Sequence, residues 1–252
     1  MSNIIEIKKS IIIKYEEREK KLPEKLKEKI EKFWKNAIEK NPNLYNGLDY
    51  TIEEIEKNEN EIKMKAIKTN YAHYLYDERV GIKEKEYKCN VPWGGIMLIT
   101  KDNYLVLGEM SETTSLPHCL QIPGGGIDKK DIENGIMDVS QTIKRELKEE
   151  INLNLDNINY KIKYLEIPDE KRHAYGFIAI GRVEETKEEL QKHFEEYKRY
   201  LIQNNLEIEF EKLMFLQESN AMEEFNALKN PKRPYLINLI NEITRDYNNK
   251  KQ

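Results

Sequence analysis

The sequence predicts an α/β architecture of the α+β kind, with helices layered on a mixed sheet and a small helix-and-hairpin domain ahead of it. Three observations carry that expectation. Apolar residues recur at three-and-four spacing in well-separated segments. Apolar and lysine residues alternate in a stretch between them, and short apolar runs bounded by turns follow near the middle of the chain. Strand and helix patterns then interleave to the C-terminus, the order expected of helices packed on a mixed sheet.

The elements follow in chain order. After Pro23, the residues Leu26, Ile30, Phe33, Ala37 and Ile38 mark one face of a helix, which Asn41-Pro42 ends because proline lacks the N–H that continues the ladder. Asn46-Gly47 reads as a turn. Ile62, Met64 and Ala66 alternate with Lys63 and Lys65 as in a half-buried strand, paired through a turn at Asn58 to Asn60 with residues 49–56. Composition shifts near Cys89. Gly94-Gly95-Ile96-Met97-Leu98-Ile99 and Tyr104-Leu105-Val106-Leu107, separated by Lys101-Asp102-Asn103, predict a hairpin in a buried sheet. A polar loop through Pro117 leads to Leu120-Gln121-Ile122-Pro123-Gly124-Gly125-Gly126, and Ile136, Val139, Ile143, Leu147 and Ile151 then stripe a helix. Strands are expected at 160–167, 174–183 and 210–216, with helices at 187–203 and around Leu236, Leu239, Ile240, Ile243 and Tyr247. The domain boundary is placed after residue 87, giving an N-terminal domain of 1–87 and a second of 88–252.

Composition narrows the function classes. Charged residues make up 35% of the 252, but 42 basic and 46 acidic residues nearly cancel to a net charge of -4. No global field therefore favours a polyanion, and neither a nucleic-acid nor a membrane partner is expected. The apolar run Ile11-Ile12-Ile13 is too short for a membrane span or a signal-peptide core. Cys89 and Cys119 lack the spacing of a metal or redox motif, and a cytoplasmic location is the expectation. His118 and Cys119 likewise lack partners at zinc-ligand spacing.

The chemistry is concentrated in Arg145-Glu146-Leu147-Lys148-Glu149-Glu150. Glu146 and Glu150 are four apart and Glu149 is three from Glu146, so a helix sets their carboxylates along one edge while Ile143 and Leu147 bury the other side. Like charges at that spacing disfavour the helix unless a cation neutralises them. Carboxylate oxygens suit a hard divalent ion, Mg²⁺ or Mn²⁺, and such ions bring phosphate substrates. In a chain so rich in lysine and glutamate, the same run is commonly just a solvated face. The triple glycine ahead of the helix alters that balance, since glycine lets backbone approach a metal or phosphate closely.

Glycine loop and glutamate helix together resemble the Nudix box. Its second half reads Arg145-Glu146-Leu147-Lys148-Glu149-Glu150-Ile151-Asn152-Leu153, with Asn152 where the family has glycine at a left-handed helix end. In the first half, strict spacing puts Met137 in place of the motif glutamate, and the stretch from Gly125 to Arg145 is longer than the pattern, so a loop insertion between 126 and 138 is expected. Asp128, Asp131, Glu133 or Asp138 is expected to fill the acidic role, Asp128 or Asp131 folding back more easily than Asp138, with a carboxylate of Asp128, Asp131 or Glu133 expected within reach of Arg145 and Glu149. The resemblance covers roughly residues 88–217 and implies a Nudix-type α/β/α sandwich with a mixed sheet. It also implies metal ligation by Glu146, Glu149, Glu150 and the carbonyl of Gly125 or Gly124. Arg145 then orients the glutamates by charge-assisted hydrogen bonds. Glu149, Glu150 and Arg145 are the expected catalytic residues, in an enzyme that hydrolyses a diphosphate with Mg²⁺ or Mn²⁺.

Substrate signals are thinner. Trp34 with Asn41-Pro42-Asn43-Leu44-Tyr45-Asn46-Gly47 resembles the N-terminal region of Nudix proteins related to uridine-diphosphate-glucose pyrophosphatases, which implies a nucleotide sugar. ADP-ribose or another nucleotide would use the same box, and so would a non-catalytic nucleotide-binding regulator. Tyr71, Tyr74 and Tyr76 read as core residues before they read as a stacking surface, and Arg172 reads as a surface arginine. Glu207, Glu209 and Glu211 alternate ahead of Leu213-Met214-Phe215, which predicts a strand face bearing three carboxylates, one of them a catalytic glutamate outside the box.

Overall fold

The computed structural model describes residues 3–169 and 172–250. Its first elements are β1 (Asn3–Glu6), β2 (Ser10–Glu19), α1 (Glu24–Lys40), β3 (Leu48–Lys57), β4 (Glu61–Asn70) and α2 (Tyr71–Arg79). There follow β5 (Val91–Ile99), β6 (Tyr104–Met110), β7 (Leu120–Gln121), β8 (Gly124–Gly126), β9 (Ile132–Glu133), β10 (Ile136–Met137) and α3 (Val139–Ile151). The chain closes with β11 (Asn159–Ile167), β12 (Ala174–Arg182), α4 (Lys187–Gln203), β13 (Phe210–Gln217), α5 (Ala221–Ala227) and α6 (Tyr235–Lys250). It is α+β with mixed sheets, as the sequence predicts. Two compact units form, one from Met1–Gly94, Gly126–Thr142 and Leu165–Phe177, the other from Gly95–Gly125, Ile143–Tyr164 and Ile178–Gln252.

In the first unit a five-stranded sheet runs β3-β4-β2-β10-β9. The β3/β4 hairpin turns where expected, with Asn58 Oδ1 accepting from the N–H groups of Asn60 (3.0 Å) and Glu61 (2.8 Å). β2 lies parallel to β4, which the sequence reading missed because Ile13 is its one buried residue among lysines and glutamates. The segment expected to be a loop insertion is itself a hairpin. Asn134 and Gly135 take φ of 51° and 74°, the left-handed pair of a tight hairpin turn, and β10 then pairs antiparallel with β2 at Ile136↔Lys14. Ile136 is therefore on a strand rather than on the helix stripe, and α3 begins at Val139.

Helices α1 and α2 share a core of Ile30, Ala72, Tyr76 and Ile82, with Leu26, Phe33 and Trp34 packed against it. Trp34 meets Tyr71 edge to face at 6.1 Å, so it is a packing residue. Asn46 braces the start of α2, whose N-cap is Asn70. Asn46 Oδ1 accepts from Ala72 N at 2.8 Å, and the Gly47 carbonyl accepts from Tyr71 N at 3.1 Å. Arg172 is not on the surface. It is buried, 2.6 Å from Glu166 and 3.5 Å from Glu78, while neighbouring His173 lies 2.9 Å from buried Asp77. A guanidinium withdrawn from water needs such carboxylates; Glu166 stands six residues back on β11, but Glu78 comes from a segment distant in sequence, which the local pattern around Arg172 does not reveal.

The second unit orders its strands β11-β12-β5-β6-β13, with β7 added on β6. β6 and β13 run antiparallel from Met110↔Phe210 to Tyr104↔Gln217. Its core includes Ile96, Met97, Leu98, Leu105, Val106 and Leu107 from the predicted apolar runs, all of them fully buried. Ile143, Leu147 and Ile151 are buried too, which fixes α3 by one face and leaves its glutamate edge to the site. Among the described residues no helix is long and apolar enough to cross a membrane.

Candidate functional site

The site is built on α3. Asp138 caps it, Oδ1 accepting from Ser140 N at 2.8 Å, and Asn152 ends it at φ 59°, donating its N–H to the Lys148 carbonyl at 3.2 Å. The left-handed position expected of Asn152 is therefore present. Tyr197 on α4 satisfies a further carbonyl of the last turn, its hydroxyl donating to Glu149 O at 2.9 Å.

The three box glutamates differ in their surroundings. Glu146 and Glu150 are buried and Glu149 is exposed. Arg145 donates through Nη1 to Glu146 Oε1 and, at 3.3 Å, to Glu149 Oε2, so the arginine spans two of the acids as expected. Glu150 Oε2 accepts from Gly124 N at 2.8 Å, which ties the glycine segment to the helix. Glu150 Oε1 is buried without a hydrogen-bond partner. Gly125 passes so close that a Cβ there would stand 2.4 Å from Glu146 Oε1. Only glycine leaves that carboxylate in place.

Charge is crowded here. Burial, with the charges of Glu209 and Glu146 added, pushes Glu150 well above the usual carboxylate range. Glu146 is pushed up to about 7, burial outweighing the opposing pull of Arg145. Glu209 is raised as well, by burial first and then by Glu207 and Glu149. Several acids that resist ionising together favour either a proton or a cation. Among the described residues no group of three or more His, Cys, Asp or Glu is already drawn together around one point. The unpartnered Glu150 oxygen, the glycine cradle against Glu146 and an all-oxygen donor set nevertheless fit a hard divalent ion.

Other expected acids lie outside α3. Asp128 and Asp131 cap a short 3-10 turn reciprocally, Asp128 Oδ1 accepting from Lys130 N and Asp131 Oδ2 from Asp128 N, each at 2.9 Å. Asp131 is buried and also accepts from Thr142 Oγ1 at 3.0 Å, whereas Glu133 is exposed. The expected three-carboxylate strand face does not form. Asn205 turns left-handed at φ 53° and the strand begins at Phe210, so Glu207 stays in an exposed loop and Glu211 pairs with Lys198 at 2.6 Å. Glu209 adds its charge to Glu146 and Glu150. His118, also left-handed, lies 3.1 Å from Glu109. Tyr197 was missed by sequence reading, because a tyrosine on a polar helix carries no signal of the carbonyl it will meet.

No family model and no curated protein matches the sequence. Solved structures do show likeness. A Nudix hydrolase from Alicyclobacillus acidocaldarius aligns at TM-score 0.44 and 10% identity, over 62% of this chain and 91% of that one. A C. elegans Ap4A hydrolase binary complex aligns at 0.40 and 14%, over 63% and 98%. The Nudix domain of Shewanella oneidensis NrtR complexed with ADP ribose aligns at 0.41 and 16%, over 71% and 99%. TM-scores below 0.5 leave the functional reading to this chain's own residues.

Proposed function

We propose that this chain is a metal-dependent hydrolase of the Nudix type, which splits the diphosphate of a nucleoside-diphosphate-linked substrate into two monophosphates, with nucleotide sugars as the substrate class. The observation that supports it is Glu150, buried with one oxygen unpartnered and the other on the Gly124 amide, with the charges of Glu146 and Glu209 nearby. Glu146, Glu149 and Glu150, with the Gly125 carbonyl, would hold Mg²⁺ or Mn²⁺, which when bound supplies neutralisation of the diphosphate oxygens as charge builds on the leaving phosphate. Arg145 keeps Glu146 and Glu149 oriented toward the same edge of the helix. Glu209, whose hold on a proton is strengthened by burial, would in its ionised form receive the proton of the attacking water. Met137, buried where the family motif has a glutamate, favours a second reading in which the site binds a nucleotide without turning it over.

One assay separates the two. The purified chain is incubated with Mg²⁺ and a panel of nucleoside-diphosphate sugars, ADP-ribose and dinucleotide polyphosphates, and monophosphate products are resolved by chromatography. Hydrolysis of a nucleotide sugar, lost for the most part in Glu149→Gln and Glu150→Gln variants that keep their fold, is the expected result. Wild-type rates in those variants at saturating Mg²⁺ would remove the box from the mechanism, and binding without turnover would select the second reading.

A further inference from the structure

In the second unit an open groove of about 730 Å³ is lined by the C-terminal turn of α3 and by α4, with Lys148, Glu149, Asn152, His193, Tyr197 and Tyr200 on its walls. Two of these residues form an aromatic platform. The rings of Tyr197 and Tyr200 lie nearly parallel, at an interplanar angle of 15° with centroids 6.3 Å apart. Tyr197 is fixed by its hydroxyl on the Glu149 carbonyl, while Tyr200 is 54% exposed, a large aromatic surface left in water beside its anchored neighbour. Leu206, 49% exposed, adds an apolar patch to the same lining.

A flat apolar surface edged by polar groups suits one kind of ligand. Nucleobases offer a π-face for stacking and a rim of donors and acceptors, and the Asn152 amide and His193 imidazole supply both kinds of partner for that rim. The position of the groove supplies the second argument. Glu149 belongs both to the groove wall and to the glutamate edge contacted by Arg145, so the groove adjoins the edge at which a ligand's phosphates would be held. Lys148 stands on the same wall, its ammonium on Asn152 Oδ1. Surface tyrosines usually lack a groove, an anchored parallel partner and a shared residue with a charged site.

We propose that this groove is the subsite for the nucleobase of the substrate, the base stacking on Tyr200 against the Tyr197 platform. What occupies the adjoining glutamate edge rests on the diphosphatase reading. The stacking itself is measurable without turnover. Calorimetric titration of AMP and of ribose 5-phosphate, both in Mg²⁺, into the wild type, Tyr200→Ala and Tyr200→Phe tests it, with circular dichroism to confirm that each variant is folded. Tyr200→Ala should weaken AMP about tenfold or more, Tyr200→Phe should stay within about twofold, and ribose 5-phosphate should bind all three alike. Equal AMP affinity in wild type and Tyr200→Ala would overturn the proposal. So would equal losses for both ligands, or a wild type that binds AMP no better than ribose 5-phosphate. If the base-dependent loss appears but no diphosphate is hydrolysed, the subsite stands and the proposed function falls. If hydrolysis is robust while Tyr200→Ala leaves AMP binding untouched, the reverse holds.

Discussion

Alanine at Gly125 would set its methyl 2.4 Å from Glu146 Oε1, while alanine at Gly126 meets no heavy atom within 4 Å. The atom struck is the end of a side chain, so the backbone stays and the carboxylate swings. Gly125→Ala should therefore raise the Mg²⁺ concentration needed for half-maximal activity by about tenfold with little loss of stability, and Gly126→Ala should leave it unchanged. Equal Mg²⁺ curves for the two variants would show that Glu146 is not held by that contact. Asp49 gives a second residue-scale outcome. Burial pushes its carboxyl up to about 7, against a single opposing hydrogen bond from Tyr50 N at 2.7 Å. The folded chain thus keeps a proton that the unfolded chain releases between about pH 4 and 7, so stability contributed at this position falls as pH rises through that window. Asp49→Asn removes the titration. Its melting temperature relative to wild type should climb from pH 4 to 7 and then level, and a difference independent of pH would refute this.

At the scale of the element, the end of α3 depends on a left-handed residue. Asn152 at φ 59° tolerates that conformation better than other side chains, and Lys148 bonds its amide oxygen. Asn152→Ala should lower stability by about 1 kcal/mol and Asn152→Gly by no more than a few tenths, read from denaturant midpoints. Equal losses would mean the cap is held by something other than backbone strain. Elements with their own local signals were legible. The expected helix 187–203 is α4 residue for residue, because Thr186 and Glu189 form a reciprocal cap that the sequence displays as Thr-x-x-Glu. Helix α2 was not legible. It buries Ala72, His73, Leu75, Tyr76 and Asp77, a broad face that mixes apolar with polar residues, and its polar members are satisfied by groups outside the helix, His73 Nε2 by Tyr87 O and Asp77 by the N–H groups of Ile82 and Cys89. In the site, Arg145 and the glutamates could be read from their spacing; in the segment ahead of α3, Asp131 could not be singled out from its acidic neighbours. Its burial on Thr142 arises from tertiary packing rather than from spacing.

For the whole molecule, a net charge of -4 leaves ligand choice to local groups, and a bound cation should be visible as stability. At ten times its dissociation constant Mg²⁺ should stabilise the fold by about 1.4 kcal/mol, roughly 3 to 5 °C in melting temperature for a chain of this size. Glu150→Gln should shrink that shift, and an identical gain in the variant would place the ion elsewhere. Neither compact unit is one continuous stretch of chain, because the first takes in Gly126–Thr142 and Leu165–Phe177 as well as its N-terminal part. The pairing of Ile136 with Lys14 gives that threading a consequence during synthesis. Strand β2 is followed by β4 within the next fifty or so residues, but β10 is not translated until more than a hundred residues after Lys14. Until then the other edge of β2 presents unpaired backbone to any passing strand. Lys14, Glu16, Glu17 and Arg18 along it are charges that discourage such an encounter, so the nascent chain carries its own protection against aggregation until the late hairpin closes the sheet.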